Sequence, residues 1–134
     1  MITLVSIWER GWFDASVEAF MWKQLTAAYA VDRVIFTPTE LKQRIYPEQF
    51  NTMEEALAST VGEQIFLIPG HGESLIDFEH PQDAVYVFGN AYKSNLDIAT
   101  KIVQIPTPKN VDVFARDAAA MVLYDRMIKN GNRS

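Results

Sequence analysis

The 134-residue sequence contains no cysteine, so it can build neither a disulfide framework nor a thiolate metal site, a pattern that fits a reducing cytoplasm. Only 6 glycines and 6 prolines occur, and no tract of them forms a linker that would separate a second domain. No apolar run approaches membrane-spanning length, and the opening Met1-Ile2-Thr3-Leu4-Val5-Ser6-Ile7 lacks the basic flank and cleavage site of an export signal. There is no Gly-x-Gly-x-x-Gly fingerprint, no Walker loop and no Gly-x-Ser-x-Gly elbow, which argues against dinucleotide- and triphosphate-dependent enzymes and elbow-type serine hydrolases. Positive charge is also scarce: 12 Lys+Arg face 17 Asp+Glu, a net charge of −5, which is unfavourable for a partner rich in phosphate.

What is present is a globular pattern, 49% hydrophobic and 22% charged, in a chain long enough to bury about two-thirds of its unfolded surface in one domain spanning residues 1–134. Short apolar, β-branched runs recur at Ile2 to Ile7, Asp32 to Pro38, Gln64 to Ile68, Asp83 to Phe88 and Lys101 to Pro108. Between them lie helical stretches. Ser16 is a credible N-cap for a helix through Ala30, with Val17, Phe20, Met21, Leu25 and Ala28 spaced as one buried face. Leu41, Ile45 and Tyr46 allow a short helix before Pro47, and Thr52 caps Met53 to Ala58 with Glu55 in the capping-box position. Strands alternating with helices imply an α/β fold with a mostly parallel sheet and helices on both faces.

The stretch from Asp83 to Asn130 is the most informative. A buried strand stops at Phe88-Gly89-Asn90, and a second run ends at Ile105-Pro106-Thr107-Pro108, where proline blocks further pairing. Val113 to Lys129 then reads as a helix with an apolar face and a basic last turn, stopped by Gly131. Turns at strand ends expose backbone N–H and C=O groups, and the carboxyl ends of strands are where an α/β sheet holds ligands. The same features also describe ordinary strand–loop junctions. Charge is uneven: residues 1–92 carry 5 Lys+Arg against 13 Asp+Glu, whereas residues 93–134 carry 7 against 4.

These segments, in this order, resemble the SPOUT superfamily of S-adenosylmethionine-dependent RNA methyltransferases, in the branch that methylates ribose 2′-hydroxyls. Tyr29 to Ile35 and Leu75 to Ala84 are similar to its junctions around the second and fourth strands, so the likeness covers nearly the whole chain. The resemblance implies a deep trefoil knot over about residues 83–130, a homodimer paired through the first and last helices, and tRNA or rRNA as substrate. It implies an S-adenosylmethionine site built mainly from backbone at Pro69 and Gly70, at Phe88, Gly89 and Asn90, and at Ile105, Pro106 and Thr107. Val113 to Ala118 would complete it.

The catalytic positions depart from the family. Ala19 stands where an arginine is expected, Ala91 replaces a glutamate, and Asp112-Val113-Phe114 stands where the family has Ser-Leu-Asn. Methyl transfer needs an aligned acceptor and a place for its proton. Arg10 and Asp112 are candidates for the missing cation and the proton acceptor, and both also read as solvated surface charges. Trp8, Trp12 and Phe13 suit base stacking or, equally, core or dimer contacts. His71, Glu73, Asp77, Glu79 and His80 cluster in one loop, but their spacing matches no metal-ligand motif, so no metal is expected; His71 lies between two glycines and reads as a cofactor contact or as simply exposed. The alternative reading is a non-catalytic module that keeps the fold, and perhaps the cofactor, for binding or assembly.

Overall fold

A computed structural model of the protein describes residues 1–8, 14–37, 48–89, 97–109 and 113–131. Six strands, β1 (Ile2–Ile7), β2 (Arg33–Thr37), β3 (Glu63–Leu67), β4 (Glu73–Ser74), β5 (Ala84–Phe88) and β6 (Ile102–Gln104), form one sheet in the order β2-β1-β5-β3-β6-β4. Every ladder is parallel. Because both faces of a parallel sheet are covered, its strands need no polar side, which is why β5 reads Ala-Val-Tyr-Val-Phe and is buried throughout.

Alternation along the strands divides the core into two layers. Leu4, Ile65, Leu67, Ala84, Tyr86, Phe88 and Val103 face the helices α1 (Ala15–Ala28) and α3 (Ala115–Asn130), which contribute Ala19, Trp22, Ala118, Ala119, Val122 and Leu123. Val5, Ile35, Phe66, Val85 and Val87 face the shorter helix α2 (Met53–Ala58) through Met53, Ala56 and Leu57.

Several local expectations change. Helix α1 starts at Ala15 with Asp14, not Ser16, as its cap: the Asp14 carboxylate accepts from the N–H of Ser16 at 2.8 Å. A carboxylate also complements the helix dipole, so Asp14 outcompetes the serine. The helix ends at Ala28, before Ala30, which takes a left-handed φ of 52°. There Val31 N–H bonds Thr26 C=O and Ala30 N–H bonds Ala27 C=O, a Schellman ending with alanine where glycine is usual. The buried face of α1 is Ala19 and Trp22 with Leu25 half-buried, while Val17, Phe20 and Met21 point outward. Helix α2 keeps its Thr52 cap, but Glu55 accepts from the Thr52 hydroxyl at 3.1 Å. Helix α3 begins at Ala115 rather than Val113, and β4 was not expected at all. Trp8 is a core residue, edge-on to Phe36 at 5.1 Å. The short helix expected around Leu41 to Tyr46, together with Trp12 and Phe13, lies outside the described residues.

Candidate cofactor site

In the parallel sheet all strands end at one edge, so the predicted loops converge there. Ser6 of β1 pairs with Phe88 of β5, Phe66 of β3 pairs with Val87, and Leu67 pairs with Val103 of β6. The chain after Phe88, after Leu67 and after Gln104 therefore leaves from three adjacent strands, roughly 5 Å apart from one to the next. Phe88 and Ala118 belong to the same buried cluster, and Ile105 and Val113 pack against it. Pro69, Gly70 and Pro106 are exposed above this floor, and Gly89 and Thr107 are half-buried. Asn90, Ala91, Arg10 and Asp112 lie outside the described residues.

The glycines at this edge have different reasons to be glycine. Gly70 has a φ of 73° and no atom within 4 Å of where a Cβ would stand. Gly70 is exposed, and among the described residues nothing packs over its Cα, so the backbone there can be approached from outside. Gly89, with φ 129°, is different: a Cβ there would meet Ile7 Cβ at 2.8 Å, so its missing side chain is used for packing against β1 rather than for ligand approach. At Gly72, φ 78°, a Cβ would fall on the Ile102 carbonyl oxygen. The turn is clamped to β6 by further bonds: Gln104 Nε2 donates to Gly72 C=O at 2.8 Å, Leu75 N–H to Gln104 C=O at 2.8 Å, and Lys101 pairs with Glu73 at 2.6 Å.

The loop histidines separate. His71 is exposed on that turn, whereas His80 is buried beneath α3. Arg126, fully enclosed at 2% exposure, donates to the Pro81 and Gln82 carbonyls at 2.6 and 2.8 Å and to the Tyr86 hydroxyl at 3.0 Å. A guanidinium only donates, so the Tyr86 proton is free for His80 Nδ1, 2.7 Å away, and His80 Nε2–H donates to Asp125 at 2.7 Å. Lys129 closes the set, pairing with Asp125 at 2.9 Å and donating to the Phe78 carbonyl at 2.9 Å. This arrangement needs a neutral imidazole. Burial lowers the His80 pKa against the opposing pull of Asp125, and burial likewise raises that of Tyr86. No pattern in the sequence signals this network, whose contacts join residues 4 to 51 positions apart.

Among the described residues no group of three or more His, Asp or Glu converges as metal ligands. A cavity of about 180 Å³ lies at the opposite, amino-terminal edge, between Ile2, Tyr29, Leu123 and Met127, and none of the predicted cofactor residues lines it.

No family model matches the chain, and no curated protein matches it in sequence. Solved structures match it in shape. One described as giving insight into the 2-OH methylation of C/U34 on tRNA has a TM-score of 0.72, covering 98% of this chain and 97% of that one at 16% identity. The TrmH/SpoU tRNA modifying enzyme of A. aeolicus has a TM-score of 0.73, over 98% of this chain and 77% of that one, at 13% identity. The SpoU methyltransferase AviRb of Streptomyces viridochromogenes, solved with AdoMet, has a TM-score of 0.67, over 97% and 60%, at 14% identity. These likenesses cover nearly the whole chain at low identity, and they show that it shares the α/β fold of those solved structures.

Proposed function

We propose that this protein is an S-adenosylmethionine-dependent RNA methyltransferase acting on a ribose 2′-hydroxyl of tRNA or rRNA in the cytoplasm. The observation that carries the reading is the convergence of the loops after β3, β5 and β6 on adjacent strands, with open space beside Gly70, in a fold matched from end to end. Pro69, Gly70, Phe88, Gly89, Ile105, Pro106 and Thr107 would hold the adenosyl group largely through main-chain atoms, with Val113 and Ala118 as the floor. The cofactor supplies an electrophilic methyl group on a sulfonium; the chain's part is to hold it in line with the acceptor and keep water out. A deep knot over about residues 83–130 belongs to this proposal.

The active unit is proposed to be a homodimer. Val17, Phe20 and Met21 on α1 and Met121, Tyr124, Met127 and Ile128 on α3 are all exposed, and the two helices lie side by side, joined by an Arg116–Glu18 ion pair of 3.0 Å. Apolar side chains on adjacent outward faces suit a twofold contact through the first and last helices.

Two observations favour the non-catalytic reading. Ala19 is 1% exposed in the core, so the family's arginine position is not turned toward the site. The cations of Arg33, Lys101, Arg116 and Lys129 are paired with Glu48, Glu73, Glu18 and Asp125, which reduces what remains for phosphate. Calorimetry with S-adenosylmethionine and S-adenosylhomocysteine, followed by transfer of labelled methyl to bulk tRNA and rRNA, separates the readings. The enzyme proposal expects binding and label in RNA; binding without transfer leaves the module, and no heat at millimolar cofactor removes both uses of the site.

A further inference from the structure

Resting on the methyltransferase reading, we infer that His71 is the group that accepts the proton from the RNA hydroxyl as it is methylated. The argument begins with what the edge of the sheet offers. The family's catalytic side chains are missing, yet an uncatalysed hydroxyl is a poor nucleophile and must lose its proton during attack. The acceptor has to stand at the open mouth of the site, carry a lone pair near neutral pH and be free of a competing partner.

Among the described residues in the segments that follow the strands toward this edge, the ionisable side chains include Asp14, Glu18, His71, Glu73, Asp77, Asp97, Lys101, Lys109, Arg116 and Asp117. Glu73 is held by Lys101, Arg116 by Glu18, and the Asp14 carboxylate caps the first helix through Ser16 N–H. Lys109, Asp77, Asp97 and Asp117 carry ammonium or carboxylate groups, and His71 alone among these carries an imidazole. His71 is exposed, its ring has no partner among the described residues, and imidazole is the side chain matched to proton transfer near neutrality.

Its placement is built rather than incidental. Gly70 and Gly72 flank it, both with positive φ, so the turn reverses tightly on each side of His71. The Gly72 flank is pressed onto the Ile102 carbonyl and tied by Gln104, which fixes the turn to the strand whose end carries Ile105, Pro106 and Thr107. The Gly70 flank borders the open space assigned to the cofactor. His71 therefore stands on a rigid support between two of the cofactor loops, with its ring toward solvent, where an RNA strand arrives. As the ribose oxygen bonds the methyl carbon, the carbon–sulfur bond breaks, its electron pair stays on sulfur as the neutral thioether, and the hydroxyl proton passes to the imidazole. No further reactant is needed.

The experiment compares the 134-residue protein with His71→Ala and His71→Asn, using bulk tRNA and rRNA as acceptors. Because His71 is exposed, both variants should keep the wild-type melting temperature. S-adenosylhomocysteine affinity by calorimetry should stay within about twofold, while single-turnover transfer falls on the order of 100-fold or more. Added imidazole should restore part of the rate in His71→Ala. With only 2 histidines in the chain, one of them enclosed, the His71 Cε1–H resonance is assignable and should shift when tRNA joins the S-adenosylhomocysteine complex. Undiminished transfer in His71→Ala, with an active wild type, would overturn this inference alone. A tenfold loss of S-adenosylhomocysteine affinity would overturn it too, by making His71 a cofactor ligand. A wild type that binds the cofactor but transfers no methyl would refute the methyltransferase reading itself.

Discussion

Tyr86→Phe is the sharpest test of how the last helix is held. The substitution removes one oxygen from a fully enclosed ring that leaves room for Phe at no steric cost. Arg126 Nη1 keeps its 2.6 Å bond to the Pro81 carbonyl, so the guanidinium loses little. His80 Nδ1 loses the Tyr86 donor and becomes a buried acceptor without a partner among the described residues. A stranded buried polar atom costs about 1 to 3 kcal/mol, and the lost bond to a charged donor adds to it, so a net loss of about 2 to 3 kcal/mol is expected at pH 7.5. With a urea dependence of roughly 1 to 3 kcal/mol per molar, the unfolding midpoint should drop by about 0.7 to 3 M at fixed protomer concentration.

The pH dependence supplies a second signature of the same hydroxyl. Burial holds the folded His80 pKa below its unfolded value, so stability from this group is complete above about pH 6.5 and is lost as pH falls toward the folded pKa, by about 1.4 kcal/mol per unit. Without the Tyr86 hydroxyl, the neutral imidazole is less favoured and the folded pKa rises, so the acid slope shrinks and the gap between wild type and variant narrows toward pH 5. A loss below about 0.5 kcal/mol, or parallel acid slopes, would refute the network as described.

Three further outcomes follow from other parts of the molecule. Gly72→Ala should unfold β4 from β6, losing more than about 2 kcal/mol because the new Cβ meets the Ile102 backbone, whereas Gly70→Ala should cost only about 1 kcal/mol of backbone strain but weaken S-adenosylhomocysteine binding; equal effects on stability would contradict the geometry, as urea titration and calorimetry can decide. Phe20→Asp combined with Ile128→Asp should convert the proposed dimer to monomer in sedimentation experiments without altering the helical circular dichroism signal, since both side chains are more than 60% exposed in the single chain. Ala30→Gly should raise stability by about 0.5 to 1 kcal/mol, because the left-handed cap costs alanine what glycine does not lose.

The strands were legible because a sheet covered on both faces tolerates apolar residues at every position, and β1, β2, β3 and β5 carry such runs within a residue or two of their observed ends, whereas β6 stops at Gln104, short of the Ile105 to Pro108 end of its run. The two-residue β4 carries no pattern; it exists because Gly72 lets the chain lie against Ile102. Helix α1 was placed correctly but turned the wrong way. Its apolar residues occupy two stripes, one for the core through Ala19 and Trp22 and one for the outside through Val17 and Phe20, and hydrophobicity alone cannot rank them. The loop turns could be read from Gly, Pro and Asn, yet whether Gly89 makes room for a ligand or for Ile7 is decided only by tertiary packing. His80 was visible as a titratable residue in a loop, but its partners lie on β5 and α3, and contacts so distant along the chain have no periodicity to betray them.

The way Arg126 and Lys129 grip the 75–82 segment has a consequence for biosynthesis. Every strand of the sheet leaves the ribosome before the residues that satisfy the Pro81, Gln82 and Phe78 carbonyls have been made. A nascent chain that has not yet extruded α3 therefore leaves His80 Nε2 and the Pro81, Gln82 and Phe78 carbonyls without the partners they have in the folded protein, and lacks the wall at Ala118. The 75–82 segment is thus fastened late in translation, after every described strand has been made.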